Sequence, residues 1–328
     1  MKLSILLVTL AFSAVGAESH VDSVVNRVLA EAAKAKAADP EAVPMAFWDM
    51  DGTIIKGDCS EGLIENGVER YKGSIESMIL DGLCTAYRGP EGWKQYRDVD
   101  YPRLNAFGRW IAWPFNAQIF HGQDVRVIDA YVHRLADTMF RKWYFASSVE
   151  ILRRLEQAGV ENHIVSASPH FFVEPQADVL GLSRARMNGI RVGIDGGRIT
   201  TRIEHPVPYN EGKVETVRRI VNARAHGVAV AGFGNSYSTD GPFLRYIVTQ
   251  SLPGGAKGFA LMINGNRAPA AYEGLFMCVT QDEVCENGNE QSDVNLSVQA
   301  VHDVALNLAG CSGSLVDDAN GSWYNTPQ

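Results

Sequence analysis

The sequence predicts an α/β protein built on a mainly parallel sheet with helices on both faces, plus an inserted helical cap. One observation is the alternation of helix-like and strand-like patterns over residues 147–263. Another is that the strand-like runs are short and almost continuously apolar, which is typical of buried parallel strands. A third is the aromatic-rich, mostly helical pattern of residues 57–146, which interrupts the alternation.

The first elements precede the insertion. An Ala-rich pattern with Lys and Glu predicts a helix over residues 21–38, closed by Asp39 and Pro40. The apolar run from Val43 to Trp48 predicts a buried strand, which ends abruptly in Asp49-Met50-Asp51-Gly52-Thr53. The first polar residues that could carry out a reaction therefore follow directly after the first predicted strand.

After the insertion, the pattern alternates as far as residue 263. It predicts helices at 147–157, 172–180, 211–225 and 240–248, strands at 162–166, 228–233 and 258–263, and a hairpin of 189–194 with 198–203. Residues 264–293 lack periodicity, so a surface connection is expected there before a last helix at 294–308. The predicted domains are a core of 18–56 and 147–311, a cap of 57–146 and a loosely ordered tail of 312–328.

Charge and the N-terminal pattern restrict the partners. The 328-residue chain has a net charge of −8 and no Lys/Arg block, so a small ligand is expected and nucleic acid is not.

Residues 1–17 have the basic start, apolar middle and small-residue end of a signal peptide, although a buried helix or retained anchor is the alternative. We therefore expect export to the periplasm or medium. No later stretch approaches the roughly 20 apolar residues of a membrane helix, so no membrane contact is expected after signal removal.

Five cysteines remain to be placed in that oxidising compartment. Cys278 with Cys285 is the first disulfide expected, and Cys59 with Cys84 is the second. The odd count leaves at least one thiol unpaired. Cys84 and Cys311 fit equally well as small buried apolar residues.

Candidate reactive residues follow the ends of the predicted strands. Asp49 and Asp51 come after the first strand, Ser166 closes the second, Lys213 opens a helix, and residues 235–240 follow the third. In an open parallel sheet, ligands collect at the carboxyl ends of the strands. One carboxylate of the Asp pair could attack phosphorus while the other protonates the leaving group and activates water. The same residues also fit a simple turn with Asx hydrogen bonds.

The order of these segments resembles the four signature motifs of the haloacid dehalogenase (HAD) superfamily. The motifs are Phe47-Trp48-Asp49-Met50-Asp51-Gly52-Thr53-Ile54, Val165-Ser166-Ala167-Ser168, Lys213, and Gly234-Asn235-Ser236-Tyr237-Ser238-Thr239-Asp240. The resemblance covers residues 43–244 and implies a Rossmann-like core. It implies a phosphatase in which Asp49 is the nucleophile, Asp51 the general acid/base and Lys213 the neutralising cation. It also implies a phosphate-binding set of Ser166, Ala167, Thr53 and Lys213.

The resemblance further implies Mg²⁺ as the cofactor, held by the Asp49 side chain and the Asp51 carbonyl. The fourth motif departs from the common pattern, because its first acid is Asn235 and its second, Asp240, lies five positions on instead of four. Either residue, or both, could reach the metal. An Asx turn with a helix cap is the structural alternative.

The inserted cap resembles the helical cap of the phosphoserine-phosphatase-like branch. An exported phosphatase of this superfamily with an aromatic, amine-binding pocket would be similar to the bacterial secreted phosphorylcholine phosphatases, which share an extended fourth motif. Aromatic faces bind quaternary ammonium groups, which makes Trp110, Trp113, Phe115 and Tyr144 candidates for substrate selection. Aromatic residues at helical spacing also fit a core. Phosphoserine or a broad range of phosphomonoesters is the simpler expectation. A phosphotransferase or phosphomutase, and a phosphate-ester binding protein without catalysis, are the alternatives.

Overall fold

The computed structural model describes residues 19–285. The expected signal peptide at 1–17, the last helix at 294–308 and the tail at 312–328 lie outside the described residues. Within them, no helix combines the length and apolar character needed to cross a bilayer.

The strands are β1 (Val43–Trp48), β2 (Gly62–Glu65), β3 (Val68–Lys72), β4 (Glu161–Pro169), β5 (Met187–Asp195), β6 (Arg198–Glu204), β7 (Gly227–Gly234), β8 (Phe259–Ile263) and β9 (Met277–Val279). A separate antiparallel hairpin consists of β2 and β3. The other seven strands form one sheet in the order β6-β5-β4-β1-β7-β8-β9. All neighbouring pairs of this sheet are parallel except β5 with β6, which form the expected antiparallel hairpin. The predicted fold class is confirmed.

Helices cover both faces of the sheet. Successive residues of β1 point to opposite sides: Met45 and Phe47 pack in one apolar cluster, and Ala46 and Trp48 in the other. The helices are α1 (His20–Ala38), α2 (Ser74–Leu80), α3 (Gly89–Gln95), α4 (Tyr101–Phe107), α5 (Arg109–Gln118), α6 (Val125–Thr138), α7 (Ala146–Gln157), α8 (His170–Val173), α9 (Ala177–Leu180), α10 (Glu211–Ala223) and α11 (Gly241–Thr249). Buried residues of α1 and α7 join the cluster of Trp48, and those of α10 and α11 join the cluster of Phe47.

The segment between β1 and α7 contains the β2–β3 hairpin and helices α2 to α6. Its aromatic residues pack largely on one another: the Tyr96 ring stacks on Trp93 at 5.6 Å and on Tyr101 at 5.3 Å between centroids. The boundaries of a cap at 57 and 146 stay a prediction.

Two predicted elements differ from the structure. The helix expected at 172–180 is split into α8 and α9 by a 3₁₀ turn at Glu174–Gln176, where Pro175 cannot donate the backbone hydrogen bond of a continuous helix. The segment after residue 263, expected as a surface connection, contributes β9, whose three residues pair with β8.

Neither expected disulfide forms. Cys59, Cys84 and Cys285 have free thiols, so the predictions of a Cys278–Cys285 pair and a Cys59–Cys84 pair are wrong. Cys84 is instead buried and donates to the carbonyl oxygen of Ile119 at 3.3 Å. Close spacing in the sequence therefore did not identify a disulfide between Cys278 and Cys285.

Candidate active site

Several of the residues singled out in the sequence meet in one cavity at the carboxyl ends of the strands. The cavity has a volume of about 200 Å³. Because β4, β1 and β7 are neighbouring parallel strands, the segments that follow them converge at one edge of the sheet. Its walls include Asp49, Asp51, Ala167, Lys213 and Asn235.

Asp49, Lys213 and Asp240 form a buried charged cluster. The Lys213 ammonium donates hydrogen bonds of 2.6 Å to Oδ1 of Asp49 and 2.6 Å to Oδ1 of Asp240. Lys213 and Asp240 are both 0% exposed. A charge this deeply buried is tolerated because it is paired on both sides.

Local sequence explains how the cluster is assembled. Lys213 lies in the first turn of α10, whose cap residue Asn210 accepts from the N–H of Glu211 and donates to the Ser238 carbonyl, both at 2.8 Å. That second bond ties the start of α10 to the fourth motif. Gly234 ends β7 where a Cβ would lie 2.6 Å from the Cβ of Asp240, so a larger residue would displace Asp240.

The cluster shifts the acidity of its members. Burial, followed by the negative charge of Asp240, raises the pKa of Asp49 to about 8, while Lys213 acts in the opposite direction. Burial lowers the pKa of Lys213, but Asp240 and Asp49 outweigh it, so that pKa is raised. Lys213 therefore stays a cation. A divalent cation beside Asp49 would favour its ionised form.

Asp51 lies in a different environment, where both of its oxygens accept hydrogen bonds. Oδ1 accepts from the backbone N–H of Cys59 at 2.7 Å. Oδ2 accepts from the hydroxyls of Ser168 at 2.7 Å and Ser166 at 3.2 Å. The carboxylate is therefore held at a fixed orientation against the cavity.

Two residues of the predicted phosphate-binding set lie behind the cavity wall. Ser166 is fully buried, and its hydroxyl also accepts from the N–H of Ser168 at 3.0 Å. Thr53 is also fully buried, and its carbonyl accepts from the hydroxyl of Ser148 at 2.7 Å. Ala167 does line the cavity.

Asp240 and Asn235, the two candidate metal ligands of the fourth motif, lie in different environments. The carboxylate of Asp240 is fully used, because Oδ2 accepts from the N–H groups of Asn235 at 2.9 Å and Ser236 at 3.0 Å while Oδ1 binds Lys213. Asn235 instead lines the cavity, and its side-chain amide forms no hydrogen bond with residues 19–285. Nor does any donor in that range reach the backbone carbonyl of Asp51. Together with Asp49, these orphaned oxygens make an all-oxygen donor set that suits Mg²⁺.

The family assignment follows from a match over residues 46–245 to the model described as haloacid dehalogenase-like hydrolase. The chain belongs to this family. A protein of unknown function from Bordetella pertussis Tohama I shares the fold of this HAD-like hydrolase, with a TM-score of 0.52 and 18% identity, covering 70% of this chain and 93% of that one. No curated protein matches the sequence.

Two further solved structures are more distant from this HAD-like hydrolase. A protein from Anaerococcus prevotii has a TM-score of 0.45 and 14% identity, with coverage of 74% and 86%. A phosphoserine phosphohydrolase-like protein from Francisella tularensis has a TM-score of 0.39 and 14% identity, with coverage of 67% and 87%.

Of the four aromatic residues proposed from the sequence, the HAD-like hydrolase places only Trp113 on the described wall of the cavity. Trp110, on the same helix, is 66% exposed and does not line it. Phe115 packs edge-on against Tyr87 at 6.4 Å, and the buried Tyr144 donates to Oε1 of Gln176 at 2.8 Å. Of the three aromatic candidates on α5, only Trp113 therefore faces the cavity.

An acidic wall of the cavity was missed by sequence reasoning. Asp58 and Glu61 both line it, and burial, with the charge of Asp51 also contributing, raises the pKa of each. Glu61 accepts from the Tyr101 hydroxyl, and Arg109 lies on the same wall. The available signal was the position of both acids shortly after the first motif, but their orientation depends on how the inserted segment folds over the sheet.

Proposed function

We propose that this HAD-like hydrolase is a Mg²⁺-dependent phosphomonoester hydrolase that forms an aspartyl-phosphate at Asp49. The observation that carries the proposal is that two carboxylates in different environments and a buried lysine face one cavity. Phosphoryl transfer depends mainly on positioning and on stabilising charge, and this arrangement offers both.

In the first step, an oxygen of Asp49 attacks phosphorus and the bond from phosphorus to the ester oxygen breaks. Asp51 gives its proton to the leaving alkoxide, which departs as the alcohol. Lys213 balances negative charge on Asp49 and on the phosphoryl group. The fixed orientation of Asp51 supports this role, because proton transfer needs the donor within hydrogen-bond reach.

In the second step, Asp51 accepts a proton from water, which attacks the aspartyl-phosphate and releases inorganic phosphate. Asp49 is regenerated as a carboxylate. Phosphoryl oxygens would be bound by the N–H groups of Met50, Asp51 and Ala167, with Ser166 behind them; within residues 19–285, the first two have no hydrogen-bond acceptor.

Mg²⁺ would be held by the side chains of Asp49 and Asn235 and by the carbonyl of Asp51. When bound, it supplies positive charge that polarises the phosphoryl group. Asp240 would act indirectly, because its oxygens are committed to Lys213 and to backbone N–H groups.

One wall of the cavity, called the cap wall, is formed by Asp58, Glu61, Arg109 and Trp113. Its side chains suit a small phosphorylated amine as substrate, such as phosphorylcholine or phosphoserine. Asp58 and Glu61 supply carboxyl groups whose ionised form a bound ammonium group would favour, and Trp113 supplies an aromatic face for that ammonium group. Arg109, whose guanidinium lies 5.3 Å from the ring of Trp113, would bind the additional carboxylate of phosphoserine. A cavity of about 200 Å³ suits a metabolite of this size.

The test is phosphate release from a panel headed by phosphorylcholine and phosphoserine, with Mg²⁺ and with chelator. Asp49→Asn should abolish release from every ester, whereas the matched control Asp195→Asn, at an exposed turn, should leave it unchanged. Full activity in Asp49→Asn would refute the proposal. Transfer of phosphate to a second alcohol would indicate the phosphotransferase, and tight ester binding without release would indicate the binding protein.

We also propose that the protein is exported, which the pattern of residues 1–17 supports. Fractionation of cells expressing the full chain should recover it outside the cytoplasm, shortened at its N-terminus. Full-length protein confined to the cytoplasm would contradict this.

A further inference from the structure

Ser60 and Ser168 form a buried pair of hydroxyls beside Asp51. The hydroxyl of Ser60 donates to Oγ of Ser168 at 2.8 Å, and Ser168 in turn donates to Oδ2 of Asp51 at 2.7 Å. Ser60 is 3% exposed and Ser168 is 6% exposed. The chain of hydrogen bonds therefore links the segment after the first motif to the end of β4, and the end of β4 to Asp51.

The backbone on both sides of this pair is closely packed. A Cβ at Gly73 would lie 2.2 Å from the carbonyl oxygen of Ser60, and a Cβ at Gly189 would lie 2.6 Å from that of Ser168. Both distances are too short for any side chain, so glycine is required at each position. The backbone that carries the two hydroxyls is thus closely packed against neighbouring chain segments.

We propose that Ser168, supported by Ser60, is a positioning residue for proton transfer by Asp51. The inference rests on the proposed phosphatase function, in which Asp51 handles the proton. A hydroxyl can both donate and accept, so Ser168 can donate to Asp51 when it is ionised and accept from it when it is protonated. The N–H of Cys59 can only donate, and the bond from Ser166, at 3.2 Å, is longer.

This role has a consequence that depends on the leaving group. An alkyl phosphate such as phosphoserine releases a strongly basic alkoxide and needs the proton from Asp51. p-Nitrophenyl phosphate releases a weakly basic phenolate and needs it little. Because kcat/KM covers the steps through release of the alcohol, the ratio of kcat/KM for the two esters isolates proton delivery from later hydrolysis of the aspartyl-phosphate.

The experiment measures that ratio in the full chain with Mg²⁺. Ser168→Ala should lower kcat/KM for phosphoserine by about 10- to 100-fold and leave that for p-nitrophenyl phosphate within about threefold. Ser168→Cys, with its weaker donor, should fall between, and Ser60→Ala should follow Ser168→Ala with a smaller loss. Ser183→Ala, at an exposed loop, should match the unchanged protein.

Equal losses for both esters in Ser168→Ala would overturn the inference and assign Ser168 to phosphate binding or to folding. An unchanged ratio in all three variants would also overturn it. If Ser168→Ala fails to fold, Ser168→Cys and Ser60→Ala carry the same comparison. The proposed function fails in a different way, since the unchanged protein would then release no phosphate from either ester.

Discussion

The core wall of the cavity (Asp49, Lys213 and Asn235) and its cap wall (Asp58, Glu61, Arg109 and Trp113) are built differently. On the core wall, Lys213 lies between two carboxylates, with no exposed surface and two hydrogen bonds of 2.6 Å. On the cap wall, Arg109 is half-buried, and its hydrogen bond to Ser238 is 3.4 Å long. The core wall is therefore fixed by paired charges, whereas the cap wall keeps freedom to adjust to a ligand.

This difference predicts a division of effects. Substitutions on the core wall should change the reaction with every ester, because they alter the groups around phosphorus. Substitutions on the cap wall should change the preference among esters, because they alter contacts with the rest of the substrate. The predictions below test that division, beginning with the largest effect.

Lys213→Met should lower phosphate release by about 10³-fold for all substrates, since it removes the cation that balances charge around phosphorus. It should also lower the free energy of unfolding by about 3 to 5 kcal/mol, because the carboxylates of Asp49 and Asp240 would be left buried without a positive charge to balance them. Urea unfolding and phosphate release measure the two effects. Lys94→Met, on an exposed face of α3, is the control. An active, equally stable Lys213→Met variant would show that the buried cluster is dispensable.

Asn235→Ala and Asp240→Asn should separate direct from indirect metal binding. Asn235→Ala should raise the Mg²⁺ concentration for half-maximal activity by about 100-fold, the upper end of the loss that follows when even a residue supporting a metal ligand is removed. Asp240→Asn should lower the maximal rate and shift the Mg²⁺ midpoint less. The rate is measured as a function of Mg²⁺ concentration in both variants. A larger midpoint shift in Asp240→Asn would exchange the two roles.

The core wall was predictable from the sequence, and the cap wall, apart from Trp113, was not. Asp49, Lys213 and Asn235 follow strands or begin a helix, so sheet topology alone brings them to one edge. Glu61, Arg109 and Ser60 lie in or near the inserted segment, whose placement over the sheet depends on packing between distant residues. The periodicity of a sequence predicts that a helix has an aromatic face, but it does not show which part of the protein or ligand that face contacts.

The same limit explains the misplaced elements. Val43–Trp48 was predictable because six apolar residues end at a polar motif. β9 has only three residues and becomes a strand through pairing with β8, which no local pattern reveals. The expected Cys278–Cys285 disulfide rested on spacing alone, whereas pairing requires the two Cβ atoms to face each other.

Glu61→Gln should lower kcat/KM for phosphorylcholine by about tenfold, the cost of one charged contact. The value for p-nitrophenyl phosphate should stay the same, because that ester has no ammonium group to bind. Glu91→Gln, at an exposed site on α3, is the matched control. Equal losses for both esters would mean that Glu61 belongs with the core wall through its effect on Asp51.

Trp113→Leu should produce the smallest effect. An aromatic face contributes about 0.5 to 1 kcal/mol to ammonium binding at a partly exposed site, so KM for phosphorylcholine should rise about two- to fivefold. Trp110→Leu is a control on the same helix, three residues earlier, and should leave KM unchanged because its side chain does not line the cavity. Both variants replace a tryptophan of α5 by leucine, but only Trp113 lines the cavity. Steady-state kinetics on both variants therefore separates loss of the contact with the substrate from a general loss of helix packing. A rise in KM for both would mean that α5 moves as a unit, and no rise in either would remove the aromatic contribution from the cap wall.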